Sequence, residues 1–146
     1  MSNTLYDQDF FAWATEQARL LRAGRVSEAD IGHIAEEIES MGRSEKRELV
    51  NRLSVLLMHL LKGRFQPSAR GTNWRLTIEE QRHRLADHLL DNPSLKATLD
   101  ASIASGYRLA VLGAARETGL DRAVFPPACP WPFEQVMDPD FWPEHG

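Results

Sequence analysis

A nine-residue apolar run, LSVLLMHLL at positions 53–61, limits what this chain can become. It is about half of the ~20 residues that a bilayer span needs, and it carries His59 in its middle. It therefore reads as a helix inside a soluble protein. Leu49, Leu53, Leu56 and Leu60 define one face, while Val50, Val55, Leu57, Met58 and Leu61 spread around the circumference. A helix that is apolar on nearly every side has to be surrounded by its neighbours. The rest of the chain is expected to supply them.

The flanking sequence has helical periodicity throughout. Phe10, Trp13, Ala14, Gln17 and Leu21 recur at one-face spacing, with Asp7 or Asp9 suited to the N-terminal end and Gly24 placed as a stop. Ser27 offers a cap for a second helix, whose stripe is Ile31, Ile34, Ala35, Ile38 and Met41. That stripe is in phase with Leu49, and a break or bend is expected at Gly42-Arg43-Ser44. After a loop at 63–73, Thr72 or Asn73 caps a helix that buries Trp74, Ile78, Gln81 or Arg82, Leu85 and Leu89. Asn92-Pro93 restarts the chain into a helix rich in small residues, Gly106, Ala110, Gly113 and Ala114, where a neighbouring backbone could approach closely.

The end of the chain differs. Residues 120–146 hold six of the 8 Pro and five of the aromatics, Phe125, Trp131, Phe133, Phe141 and Trp142. Proline at this density forbids a long helix, and the rings argue against simple disorder. The expected architecture is all-α: one domain over 1–146, with a bundle of about five helices over 1–118. A central apolar helix lies inside it, and an extended proline- and aromatic-rich tail, 119–146, packs on it. The opening MSNTLYDQDF has two Asp, no Lys or Arg and no apolar run, and Cys129 is the lone cysteine, so a cytoplasmic protein is expected.

The formal net charge of −4 hides an asymmetry, because residues 43–84 hold ten bases against four acids. Residues 28–39 and the tail are acidic. The chain is expected to fold these opposite charges onto each other. Within the basic stretch, Lys62, Arg64, Arg70 and Arg75 alternate with Phe65 and Trp74, a pattern that could take single-stranded nucleic acid or a phosphate.

Two acid-x-x-His pairs, Glu80 with His83 and Asp30 with His33, resemble half of a di-iron site. Their angular positions put them on the solvent side of their helices, so no metal and no cofactor is expected. His59, amid leucines, is a candidate base or ligand whose plainer role is a core histidine with one hydrogen bond. Glu37 could pair with Arg52 or Arg82, which makes Glu37, Arg52, His59, Gln81 and Arg82 a candidate polar cleft. No catalytic set emerges, and Cys129 has no local cation to activate it.

The segments YDQDFFAWATEQARLLRAGR, IAEEIESMGRSEKRELVNRLSVLLMHLLK, NWRLTIEEQR, NPSL, ETGL and FPPACPW, in this order, resemble a bacterial domain-of-unknown-function family, the one numbered twenty-nine. The resemblance runs from Tyr6 to about Pro143 and implies a small all-helical protein without assigned activity. The chain departs from the family at Gly63, where an aromatic often follows Leu-Leu-Lys. The leading expectation is a non-enzymatic interaction or adaptor protein, self-associating or bound to another cytoplasmic protein, with no membrane partner. The alternatives are nucleic-acid or phosphate binding through Lys62, Arg64, Arg70, Trp74 and Arg75, and an enzyme or metal protein built on the His59 cleft.

Overall fold

The computed structural model describes residues 5–144, and among them every regular element is helical. In chain order these are α1 (Leu5–Gln8), α2 (Phe10–Arg22), α3 (Ile31–Phe65), α4 (Thr72–Asp91), α5 (Leu99–Thr118) and α6 (Phe133–Met137). No helix among the described residues is long and apolar enough to cross a membrane. The chain's contacts fall into two compact units, Met1–Ser44 and Glu45–Gly146.

Helix α3 is continuous through Gly42-Arg43-Ser44, where the sequence suggests a break. A lone glycine costs a helix only about 1 kcal/mol. It stops one when its φ turns positive, and Gly42 is not among the glycines that do so, Gly24 and Gly119.

In the second unit the apolar run of α3 is the core. Leu49, Leu53, Leu56, Leu57, Leu60 and Leu61 are each 0% exposed. Burying one such side chain contributes roughly 1.5–3 kcal/mol, so these six dominate the stability of the unit. Trp74, Ile78, Leu85 and Leu89 of α4 join them, as do Tyr107, Ala110 and Ala114 of α5 and Phe125, Trp131 and Val136 of the tail. The small residues of α5 serve close approach: a Cβ on Gly106 would stand 3.1 Å from Leu53 Cβ and 3.2 Å from the Val50 carbonyl. Gly63 has a similar reason. A Cβ there would fall 2.2 Å from the Trp74 ring, whose indole N–H donates to the His59 carbonyl at 2.6 Å. Trp74 thus fills the space beside Gly63.

Asn92-Pro93 opens a short 3-10 stretch, Pro93–Thr98, so α5 starts later than the sequence suggests. The N-cap of α4 is Gly71, before the expected Thr72 or Asn73.

The first unit is thinner. Asp9 caps α2 by accepting the Ala12 N–H at 3.0 Å. Gly24, at φ 74°, ends it in a Schellman arrangement, Arg25 N–H to Leu20 carbonyl and Gly24 N–H to Leu21 carbonyl. Ser27 lies inside a 3-10 turn, and Asp30 stands at the start of α3, its carboxylate facing the His33 N–H at 3.5 Å. Among the described residues of this unit only Trp13 and Leu20 are buried, and Leu21 is 42% exposed, so the inner face runs through Leu20. The expected stripe on α3 is bare: Ile31 is 51%, Ile38 57% and Met41 61% exposed.

Candidate functional site

Four of the five residues of the polar cleft suggested by the sequence have hydrogen-bond partners outside that set. Glu37 accepts the Tyr6 hydroxyl. Arg52 reaches one turn back along α3 to Glu48 at 2.9 Å. His59 is half-buried, and its Nδ1 donates to the Val55 carbonyl of its own helix at 2.8 Å. Gln81 buries its amide oxygen without a hydrogen bond. Arg82 is buried on α4 and donates to two tail carbonyls, Val136 and Phe141, both at 2.8 Å.

Most of the basic stretch is likewise committed to the fold. Arg70 donates to the Gly63 carbonyl at 2.8 Å and to the Pro143 carbonyl. Arg75 lies over the Trp142 ring at 4.2 Å, and Arg82 over the same ring at 5.3 Å. Lys62 pairs with Glu117 at 2.7 Å, and Arg64 covers Phe65 at 5.0 Å. Arg70, Gly71, Thr72, Trp74, Arg75 and Leu76 still line a surface hollow of about 390 Å³. Burial pushes the guanidinium groups of Arg70 and Arg82 below their ordinary range, which matches cations held by carbonyls and rings. The basic segment does meet the acidic tail, through the tail's backbone and rings more than through its carboxylates.

The first unit holds a denser polar cluster than its sequence suggests. His33, expected on a solvated face, is half-buried, stacked on Tyr6 with centroids 3.9 Å apart. Its Nδ1 meets the Asp30 carboxylate at 2.7 Å, and the same oxygen accepts the Trp13 indole N–H at 3.0 Å. Gln17 accepts the Asp30 N–H at 2.7 Å. The hydrogen bond from Asp30 raises the His33 pKa, and that bond together with Trp13 lowers the Asp30 value. Donation to Glu37 pushes the Tyr6 phenol up to about 12. Tyr6, Trp13, Gln17, Asp30, His33 and Glu37 each have a partner inside this cluster, so it ties α1, α2 and the start of α3. The unit also leaves large apolar side chains open: Phe10 is 49%, Phe11 81% and Val26 53% exposed, in addition to Ile31, Ile38 and Met41.

Glu80 pairs with Arg84 at 2.8 Å and His83 is exposed, as their helical positions imply. Burial raises the Cys129 thiol, which leaves it a poor nucleophile. A cluster absent from the sequence reading is Glu45, Glu48 and His88, whose ligand-type atoms lie within 4.8 Å of one another. It was within reach: Glu45 and Glu48 are one turn apart on α3, and His88 follows Leu85 by three, on the buried face of α4.

These elements define an all-helical protein whose second unit is closed around leucine and whose first unit leaves several large apolar side chains exposed. The chain belongs to the family described as domain of unknown function DUF29, whose model matches residues 5–142. No curated protein and no solved structure matches it.

Proposed function

We propose that the chain is a non-enzymatic helical interaction protein that joins a second copy of itself along the 31–41 face of α3. The exposed stripe carries this reading: Ile31, Ile38 and Met41, each more than half exposed, with the partly buried Ile34 between them. Ile31, Ile34, Ile38 and Met41 recur at alternating three- and four-residue steps, the spacing of a two-helix seam. Apolar surface rimmed by polar residues marks an interaction site.

The spacing of the stripe, the same read from either end, supports a like partner running antiparallel. Two copies laid antiparallel set Ile31 against Met41 and Ile34 against Ile38, the same patch on both copies, as a two-fold interface requires. The lone Cys129 fits a reducing compartment such as the cytoplasm. The internal partners of Lys62, Arg70 and Arg75 speak against a nucleic-acid role for the 62–75 stretch.

The test is mass by light scattering or sedimentation across a concentration series. The wild-type chain is expected as a dimer and Ile38→Glu as a monomer with unchanged helical circular dichroism. A wild-type chain that stays monomeric at high micromolar concentration overturns the reading.

A further inference from the structure

We infer that Glu45, Glu48 and His88 form a binding site for a divalent transition cation, within the second unit and independent of self-association. The argument begins with His88. Its side chain is 8% exposed, and its Nε2 is 2.8 Å from the Glu45 backbone carbonyl. A carbonyl only accepts, so Nε2 carries the proton and the neutral ring turns its lone pair out at Nδ1. That atom faces two carboxylate oxygens, Glu45 Oε2 at 3.7 Å and Glu48 Oε2 at 3.9 Å.

Neither separation is a hydrogen bond, whatever the protonation of the ring. A buried nitrogen is thus aimed between two carboxylates and bonded to neither. The spacing suits a cation in the middle. Zinc takes nitrogen and oxygen donors at roughly 2.0–2.2 Å, which sets tetrahedral donor atoms about 3.3–3.5 Å apart. Small rotations of two exposed glutamate side chains, 50% and 45% accessible, close that difference.

The surroundings match what ligated side chains need. A metal-bound histidine donates its other ring N–H to a carbonyl or carboxylate, and its carboxylate co-ligands are themselves hydrogen-bonded. His88 does the first through the Glu45 carbonyl. Glu48 does the second, since Arg52 Nε and a terminal guanidinium nitrogen both bond its Oε2, the oxygen that faces His88, at 2.9 Å. One imidazole with two carboxylates favours zinc or a neighbouring transition ion over magnesium, which prefers oxygen alone. Three protein donors leave at least one coordination position for water.

The experiment takes the full chain, stripped with a chelator, through equilibrium dialysis against zinc with elemental analysis. Cobalt(II) replaces zinc in a second series read by visible absorption. One equivalent of zinc is expected, with a cobalt spectrum typical of low coordination number and a melting temperature that rises with zinc concentration. Because His88→Ala risks the fold, the decisive variant is Glu45→Gln with Glu48→Gln, both accessible side chains. It is expected to melt as the metal-free wild type does and to bind zinc at least about tenfold more weakly. Absence of saturable uptake by the wild type, or equal uptake by the double variant, overturns the site.

Discussion

The two halves of helix α3 have the same periodicity and opposite fates. Leu49, Leu53, Leu56, Leu57, Leu60 and Leu61 are fully covered, whereas Ile31, Ile38 and Met41 stand more than half open. The later half is apolar around its whole circumference, so neighbours on every side gain by closing over it. The earlier half has one stripe and a polar back, and among the described residues only α1, α2 and a 3-10 turn share its unit. Periodicity says that a face seeks cover; the number of neighbouring apolar surfaces decides whether the chain itself provides it.

The sharpest way to break this contrast is a pair of truncations. Leu56→Ala is expected to cost about 2–5 kcal/mol, the transfer loss plus a cavity that the packed core only partly closes. Ile38→Ala, measured at a concentration where the chain is monomeric, is expected within about 0.5 kcal/mol of wild type. Urea midpoints with unchanged slopes compare the two. Equal costs at both positions would remove the distinction between a covered and an open half.

Arg82 tests the second unit from the tail side. Its guanidinium satisfies the carbonyls of Val136 and Phe141 at once. Arg82→Ala is expected to cost about 2–3 kcal/mol, because it removes charge-assisted bonds and leaves a buried carbonyl behind. Arg82→Lys should recover only part, since an ammonium lacks the planar fork. Limited proteolysis reads the effect directly: cleavage after residue 124 should rise in both variants and stay low in wild type. Resistance of the Ala variant to proteolysis would show that the rings alone fasten the tail.

The sequence made the leucine core legible because one continuous apolar run leaves a single physical solution. The tail was legible for a related reason, since proline excludes helix and aromatic rings exclude open solvent. The small residues of α5 carried the close approach at Gly106. Cap positions were less readable: Asp9 was anticipated as one of two, but Asp30 stands where Ser27 was expected, and Ala29 is extended between them. The polar cluster of Tyr6, Trp13, Asp30 and His33 escaped because its members come from three elements, and helical angle alone assigns His33 to solvent. The Glu45, Glu48 and His88 cluster escaped for the converse reason, in that attention to acid-x-x-His spacing favours pairs on one helix. Pairing partners for Glu37 and Arg52 depend on which helix lies beside which, information that periodicity does not hold.

The smallest effect concerns the first unit alone. His33 carries a raised pKa, chiefly from its hydrogen bond to Asp30 and further from the charges of Asp30, Glu36 and Asp7. Its stabilising contribution is complete below the unfolded histidine value of about 6.5 and fades as pH climbs through the raised folded value. Asp30 has a lowered pKa, chiefly from His33 and then Trp13, so its contribution is present above the unfolded value of about 3.9 and fades as pH falls through the folded one. The pair is therefore strongest in the mildly acidic range between these limits, and alkaline solution loosens it. Hydrogen exchange at amides of α2 and the first turns of α3 should quicken from pH 6 to 9 by more than the intrinsic chemistry requires. Amides around Leu56, in the other unit, should not. Asp30→Asn keeps the hydrogen-bonding shape but removes the charge, so it should return the His33 titration toward the ordinary range and flatten the excess. A His33 resonance that titrates alike in both proteins would mean that Asp30 does not hold the ring, and the difference between the units would then rest on apolar burial alone.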